Sequence, residues 1–404
     1  MIRKISIADL LPGMFVVDVH KGWLEHSLWR RRFLVRDSAH IQSIRENGIV
    51  ELSIDTDKGI DVPEKKAPVA PPHVAEHKFI SLTDRLMLPR KVSLGEERRR
   101  ASRLLGEAGG VVLDLMLAAR AGHHVDAARL EPVVSKMIES VRRNPDALVP
   151  LARLKKMDAY ATDHAVATAS LMIALGLHQG IPEPDLEKMA LGTLVKDVGQ
   201  AALDARLIGK AGSLSSAEFS VVQSHVEEGL AVLEATSRLS ELSVAVVMEH
   251  HERFDGSGYP YRMAGEEISA AGRMAAIVDT YDAMTSDRPY RPAISPQIAL
   301  RQLFEEGDRH FDPNLVAAFI RTLGVFPVGT LVLLESGHLA VVDEVNHENS
   351  LTPIVRVIYH TGRQQYVTPV IVDLSRKIGN HYGKILRAEE YERWGLSPLR
   401  WQPA

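Results

Sequence analysis

The chain has 404 residues, no cysteine and a formal net charge of −4. The length suits two or three domains, and the absence of cysteine excludes disulfides, thiolate metal sites and cysteine nucleophiles. The weak, interspersed charge gives no footprint for nucleic acid. No signal peptide and no apolar run long enough to span a bilayer is recognisable, so we expect a cytoplasmic protein without membrane insertion.

The first predicted element group is a small α+β domain in residues 1–60. The runs "GMFVVDV" and "IVELSID" are typical of strands, and "DSAHIQSIRENG" between them indicates a helix that ends at Gly48. Residues 61–79 follow as a linker, because they are rich in Pro and Lys and poor in large apolar residues.

Helical periodicity dominates the middle of the chain. We predict a helical connector over residues 80–145 and a helical bundle over 146–324. "DHAVATASLMIALGLHQG" is apolar on most faces and is predicted to be a core helix, whereas "SSAEFSVVQSHVEEGLAVLEA" is predicted as one helix opened by a capping box. The connector helices are compatible with a homodimer or with an intramolecular helical layer.

Residues 325–404 change character, with strand-like runs such as "GTLVLLES" and "PIVRVIYH" between turns. They predict a small β-rich appendage. The expected fold class is therefore mainly α: a helical bundle preceded by a small α+β domain and followed by a small β appendage.

Metal-capable side chains are spread over separate helices of the predicted bundle. They are His164, Asp197, His225, His250, His251 and Asp279. A single His in an apolar helix is usually an ordinary core residue. Several such groups in one bundle can instead point inwards and share metal ions. A donor set of His and carboxylates without Cys suits Fe, Mn, Zn or Ni.

The stretch "EHHERFDGSGYP", residues 249–260, is the most informative. Two adjacent histidines cannot both face the core of a regular helix, so we expect the helix to end there. Gly256 and Gly258 then predict a loop that allows close approach of a ligand. The alternative is an ordinary turn between helices with Tyr259 packed on it.

Together, "HHERFDGSGYP" and "VDTYDAMTSDRPYR" resemble the HD-GYP subgroup of HD-domain metal-dependent phosphohydrolases, over about residues 140–324. The resemblance implies hydrolysis of the bacterial second messenger cyclic di-GMP to pGpG or GMP, with water activated by two or three metal ions. It also implies signalling partners such as diguanylate cyclase-type domains. The run "IADLLPGMFVVDV" is similar to a domain of unknown role that often precedes HD-GYP domains.

The resemblance implies a role for each matching residue. His164 and Asp279 would bind the first metal, Asp197 would bridge, and His225, His250 and His251 would complete the second position. Gly256, Gly258, Tyr259 and Pro260 would line the dinucleotide pocket. Arg288 and Arg291 would bind its phosphates, unless they are ordinary arginines of a surface loop.

The run "KDVGQ" departs from the family pattern. Lys196 stands where a metal-binding His is expected, and Gln200 where a phosphate-contacting Lys is usual. Tyr160 replaces a Glu used for a third metal, so we do not expect three metals. A protonated Lys has no lone pair to give a metal. We therefore hypothesise that Lys196 replaces the first metal as a tethered cation paired with Asp197 and Asp279; the alternative is that it points to solvent.

Two functions remain open at this point. The retained ligands favour a cyclic di-GMP phosphodiesterase with one or two divalent ions such as Fe or Mn, in which Asp197, Lys196 and Gln200 form the catalytic run. The two substitutions favour a catalytically degenerate domain that senses the dinucleotide or docks a protein. We place the enzyme first.

Overall fold

The computed structural model describes residues 2–6, 10–20, 33–35, 41, 51–60, 92–152, 160–210, 212–236, 239–287, 293–307, 309–376 and 381–401. The chain divides into two units, residues 1–78 and 79–404. The predicted linker and most of the helix predicted in "DSAHIQSIRENG" lie outside the described residues.

The first unit contains a four-stranded antiparallel sheet. Its strands are β1 (Ile2–Ser6), β2 (Phe15–His20), β3 (Phe33–Leu34) and β4 (Glu51–Asp55), in the order β1-β4-β2-β3. Apolar residues alternate with polar ones along β4, and Val16, Leu52 and Ile54 are fully buried beside Met14. The two strands predicted from the sequence are thus present, with β4 central between β1 and β2.

Helices form most of the second unit. Those of eight residues or more are α1 (Leu94–Arg120), α2 (Glu131–Arg143), α3 (Pro145–Ala152), α4 (Tyr160–Gln179), α5 (Glu183–Val195), α6 (Ser216–Gln223), α7 (His225–Thr236), α8 (Glu241–Glu249), α9 (Ala270–Met284), α10 (Pro296–Glu306) and α11 (Pro313–Leu323). One continuous hydrophobic core joins the helices other than α6, and α4 runs through it with nearly every described side chain buried. This confirms the prediction of a central apolar helix.

The predicted helix over 215–235 is wrong in one respect. The structure has two helices, α6 and α7, with Ser224 between them. The capping box is present: the Ser215 side chain accepts from the backbone N–H of Glu218, whose carboxylate accepts from the backbone N–H of Ser215. The Ser224 hydroxyl donates to the Val221 carbonyl, and the chain is interrupted there although the apolar spacing continues. The break puts His225 at the start of a helix.

A five-stranded antiparallel sheet follows the helices. Its strands are β5 (Leu331–Leu334), β6 (His338–Glu344), β7 (Ile354–His360), β8 (Gln365–Asp373) and β9 (Ile385–Glu389), in the order β8-β7-β6-β5-β9. A buried arginine connects it to the helices, because Arg98 of α1 donates to the Asp343 carbonyl of β6 at 3.1 Å. The mainly α class with flanking β structure is confirmed.

Among the described residues, no helix combines the length and the apolar character that crossing a bilayer requires. The five-part domain division expected from the sequence stays a prediction.

Candidate metal centre

Asp197 lies at the centre of the site because the chain turns sharply after α5. Lys196 caps α5, and a short 3-10 helix, Val198–Ala202, follows Asp197. The turn packs directly on α7: a Cβ at Gly199 would come within 2.0 Å of the His225 carbonyl oxygen. Only glycine permits this approach, which holds the Asp197 carboxylate beside the first residue of α7.

Two histidines, His225 and His250, direct their Nε2 atoms towards Asp197. The Nδ1 of His225 contacts the Val222 carbonyl at 2.7 Å, and that of His250 contacts the Val247 carbonyl at 2.8 Å. A carbonyl only accepts, so both Nδ1 atoms carry the hydrogen, and the Nε2 atom is then the nitrogen through which each ring can bind a metal.

The two Nε2 atoms lie close to each other and to Asp197. The Nε2 atoms of His225 and His250 are 3.4 Å apart, and they lie 3.6 and 4.0 Å from Asp197 Oδ1. Burial, followed by the charge of Lys196, lowers the pKa of His250 to about 3, so its ring is neutral at pH 7. Two imidazole nitrogens that face each other beside a carboxylate form a donor set that suits a divalent cation.

His251 completes this group of donors. One donor atom each from Asp197, His225, His250 and His251 lies within 4.8 Å of the others. The helix α8 ends at Glu249, His250 caps it, and the rings of His250 and His251 approach to 4.1 Å between centroids. The predicted helix end at the histidine pair is where α8 stops.

Lys196 fills the second group of donors. His164, Asp197 and Asp279 also have donor atoms within 4.8 Å of one another. The Lys196 ammonium contacts the Asp197 carboxylate, lies 2.6 Å from Asp279 Oδ1 and lies 3.1 Å from His164 Nε2. Its side chain is fully buried. It therefore touches all three groups that could bind a metal there.

The opposite charges at this position stabilise each other's ionised form. Burial opposes the charge of Lys196, but Asp197 and Asp279 outweigh it and raise the pKa of the ammonium. Burial likewise opposes the carboxylate charge, yet Lys196 holds the pKa of both Asp197 and Asp279 well below the usual range. A buried ion pair with several hydrogen bonds is the arrangement that tolerates burial.

Two residues of the site were missed by the sequence analysis. Asp282 is fully buried and lies 2.6 Å from His164 Nδ1, one helical turn after Asp279 on α9. A carboxylate on this nitrogen orients the His164 ring and directs Nε2 toward Lys196 and Asp279. The i, i+3 spacing of two aspartates in an apolar helix was the available signal.

The second missed residue is Glu252, which organises the loop after the histidine pair. Its buried carboxylate accepts from the backbone N–H groups of Tyr261 at 2.7 Å and Met263 at 3.1 Å. Gly258 packs closely on the same segment, because a Cβ there would lie 2.5 Å from the Glu252 Cα. The loop is thereby held against the end of α8.

Tyr259 joins this loop to the metal-binding group. Its ring stacks on His251 with centroids 4.6 Å apart, and its peptide bond to Pro260 is cis. Gly256, Gly258, Tyr259 and Pro260 line a cavity of about 430 Å³ with residues of α6 and α7. The structure thus brings these predicted pocket residues together beside the histidines, and their binding role stays a prediction.

The remaining predicted residues are placed as follows. Gln200 is half-buried and donates from Nε2 to Asp197 Oδ1 at 2.6 Å. Arg288 and Arg291 lie outside the described residues, so their predicted contact with phosphates stays a prediction. The side chain of Tyr160 is also outside the description.

Comparisons with known proteins agree with this geometry. The family profile of the HD domain matches residues 134–315, and that of a domain of unknown function (DUF3391) matches residues 2–130. A cyclic di-GMP phosphodiesterase of Pseudomonas aeruginosa is 37% identical over 99% of this chain and 95% of its own length.

Other relatives match over shorter stretches. A 3′3′-cGAMP-specific phosphodiesterase of Vibrio cholerae is 33% identical over 34% of this chain and 26% of its own length. The cyclic di-GMP phosphodiesterase response regulator RpfG of Xanthomonas campestris is 30% identical over 47% of this chain and 50% of its own length. A solved structure of an HD-GYP-type protein from Bdellovibrio bacteriovorus covers 79% of this chain and 98% of its own, with a TM-score of 0.48 and 14% identity.

The near full-length match to the Pseudomonas protein, the HD-domain profile and the histidine–aspartate centre beside a Gly-Tyr-Pro loop lead to one assignment. The chain belongs to the HD-GYP family of HD-domain phosphohydrolases.

Proposed function

We propose that the protein is a cyclic di-GMP phosphodiesterase of the HD-GYP type that works with one divalent ion, held by Asp197, His225, His250 and His251. The relative that aligns over almost the whole chain is named a cyclic di-GMP phosphodiesterase. The observation that carries the single-ion centre is the pair of facing Nε2 atoms of His225 and His250, 3.4 Å apart, beside Asp197.

Each side chain of the centre has a distinct task in this proposal. A bound divalent ion would acidify water and withdraw charge from the phosphodiester. The backbone carbonyls of Val222 and Val247 fix the ring tautomers that expose both Nε2 atoms. Gln200 holds the Asp197 carboxylate from the open side, and Tyr259 keeps His251 in place by stacking.

Lys196 acts as a positioning residue in this proposal. Its ammonium is fully buried, so it balances Asp197 and Asp279 and does not reach substrate. It carries half the charge of a divalent ion and has no lone pair or coordination position to offer a water molecule. The hydrolysis would therefore depend on one ion, and we expect slower turnover than in a centre with two.

A degenerate sensor is the second candidate function. Lys196 in place of a ligand and Gln200 in place of a cation are the two observations that favour it. Such a domain would bind cyclic di-GMP or dock a signalling protein, such as one with a diguanylate cyclase-type domain, without hydrolysis.

Product analysis separates the two functions. Purified protein is incubated with cyclic di-GMP and Mn²⁺ or Fe²⁺, and the products are separated by chromatography. We expect pGpG or GMP to form, and to form faster in Lys196→His combined with Gln200→Lys. Measurable binding with no product under either metal would support the sensor and overturn the enzyme.

Three further points belong to the same proposal. Arg288 and Arg291 would bind the phosphates of the dinucleotide, because charge-assisted bonds from arginine suit phosphate oxygens. A cytoplasmic location in bacteria fits a second messenger made inside the cell. A homodimer through the helices of residues 80–145 would be detected as a doubled mass in solution.

A further inference from the structure

The cavity beside Tyr259 carries two charged side chains that no role described so far uses. Glu227 of α7 and Arg262 of the loop both line this cavity. Its volume of about 430 Å³ lies within the range of small-molecule sites. Within the described part of the chain, neither side chain forms an ion pair or a hydrogen bond. An acidic and a basic group therefore face the same space without neutralising each other.

Arg262 is held in a backbone conformation that its side chain does not favour. Its φ is 56°, in the left-handed region that non-glycine residues rarely adopt. Glu252 accepts from the backbone N–H groups of Tyr261 and Met263, which flank Arg262 on both sides. The buried carboxylate thus fixes the conformation, and such strain is concentrated at binding sites.

The remaining wall of the cavity is polar and small. Ser220, Gln223 and Ser224 contribute from α6 and from the break after it, and Ser257 contributes from the loop. Tyr259 connects the cavity to the metal centre, because the same ring stacks on His251. A nucleotide bound here would lie directly beside the histidines.

We propose that this cavity is a guanine-nucleotide subsite, in which Glu227 reads the base and Arg262 binds a phosphate. The inference rests on the proposed function, whose substrate it refines. A carboxylate only accepts, so it matches guanine, which presents two adjacent donors, N1–H and the N2 amino group, on its Watson–Crick edge. Adenine presents one donor and one acceptor on that edge and would be disfavoured.

Arg262 supplies a positive charge to a site in which the neutral Gln200 stands where a phosphate-contacting Lys is usual. The guanidinium fork binds phosphate through paired, charge-assisted bonds. This contact is independent of the base, so Arg262 contributes to the affinity for every cyclic dinucleotide. Glu227 and Arg262 are therefore expected to differ in what their substitution changes.

The test compares Glu227→Gln with Glu228→Gln in the full-length protein. Glu228 is the neighbouring exposed glutamate of α7 and does not line the cavity. Affinities for cyclic di-GMP, 3′3′-cGAMP, cyclic di-AMP, 5′-GMP and 5′-AMP are measured by calorimetry. We expect Glu227→Gln to weaken the guanine ligands about 10-fold, to leave the adenine-only ligands unchanged, and Glu228→Gln to behave as wild type.

The role of Arg262 is tested with a substitution that the local backbone conformation accommodates. Arg262→Gly removes the cation at a φ that glycine adopts without strain. It should weaken all three cyclic dinucleotides by a similar factor of about 10 and reduce the salt dependence of binding, and Arg262→Lys should recover part of the affinity.

Two outcomes separate this inference from the proposed function. Equal guanine selectivity in wild type and Glu227→Gln would overturn the guanine subsite, even if the wild type hydrolyses cyclic di-GMP. Selective binding of 5′-GMP that depends on Glu227, in a protein that makes no product, would support the subsite and overturn the phosphodiesterase.

Discussion

Lys196 is a buried side chain whose ammonium is held in its charged form, without a lone pair to offer a metal. Its ammonium contacts Asp197, Asp279 and His164, the same groups that could otherwise surround an ion. The substitution of a ligand by an ammonium preserves charge balance, so the helices α4, α5 and α9 can keep their packing without a metal at that position. The charge of Lys196 can therefore stabilise the fold without a metal ion at this position.

Removal of this cation should destabilise the metal-free protein. Lys196→Met keeps the length of the side chain but leaves Asp197 and Asp279 buried without a counter-charge. Breaking a buried pair in this way costs about 3–5 kcal/mol. Denaturant unfolding in the presence of a chelator measures the loss.

The matched control is Lys188→Met, because Lys188 pairs with Asp185 on the exposed face of α5. Exposed pairs contribute little, so its unfolding midpoint should remain near that of wild type. Equal midpoints for Lys196→Met and Lys188→Met would refute the structural role of the buried ammonium.

The sequence predicted most of this site at the residue scale. Every residue of the two candidate donor groups came from the family pattern, and the pairing of Lys196 with Asp197 and Asp279 was expected from their charges. Asp282 and Glu252 were missed because their role depends on which atom each carboxylate reaches. The sequence shows a buried acidic residue but not whether it holds a ring or a loop.

At the scale of elements, a buried carboxylate connects α1 to α2. Glu97 accepts from Ser140 Oγ at 2.7 Å, Arg143 Nε at 2.8 Å and Arg143 Nη2 at 2.9 Å. Burial acts to raise the pKa of Glu97, but the hydrogen bonds from Arg143 and Ser140 outweigh it and lower the pKa below the ordinary 4.5. Folding therefore favours the ionised form.

This shift predicts a pH-dependent stability. Because the folded pKa lies below the unfolded one, the contribution is complete above pH 4.5 and is lost as the pH falls through the folded pKa. Glu97→Gln should lower the free energy of unfolding by about 2 kcal/mol at pH 7. The difference from wild type should shrink in unfolding experiments below pH 4.5.

Glu139→Gln is the control for this prediction. Glu139 approaches the same arginine at 3.4 Å but is 66% exposed. Its substitution should change stability little at any pH. A difference between Glu97→Gln and wild type that stays constant from pH 7 to pH 3 would contradict the pKa argument.

Helices and strands could be predicted from the sequence where the apolar periodicity extends over many residues. The helices α1, α4 and α9 and the strands β5 to β8 follow the apolar spacing of the sequence. The break at Ser224 was not predicted, because a side-chain bond to the Val221 carbonyl leaves no trace in the apolar pattern. The strand β9 was not predicted, because "ILRAE" is short and pairs with β5, a strand distant from it in the sequence.

At the scale of the second unit, the C-terminal sheet is bound to the helices by a charge cluster. The Nη1 of Arg98 lies 3.5 Å from Asp343 Oδ1, and Arg356 of β7 donates to both Asp343 oxygens at 3.0 and 3.1 Å. The Arg98 side chain is only 7% exposed. Asp343 therefore separates two arginines that would otherwise repel each other.

Asp343→Asn should weaken the attachment of the sheet. It leaves the buried Arg98 beside Arg356 without the negative charge, at a cost of about 3 kcal/mol. Thermal unfolding and limited proteolysis between α11 and β5 measure the effect. Asp373→Asn is the control, because Asp373 pairs with an arginine that is 79% exposed. Equal proteolysis rates in the two variants would contradict the proposed attachment.

The most direct test of the single-ion centre is the number of metal ions per chain, measured by mass spectrometry after saturation with Mn²⁺ or Fe²⁺ and removal of free metal. We predict one ion in wild type, at Asp197, His225, His250 and His251, and two ions in Lys196→His. Two tightly bound ions in wild type would contradict the account, because the Lys196 ammonium could not then occupy the position between His164, Asp197 and Asp279.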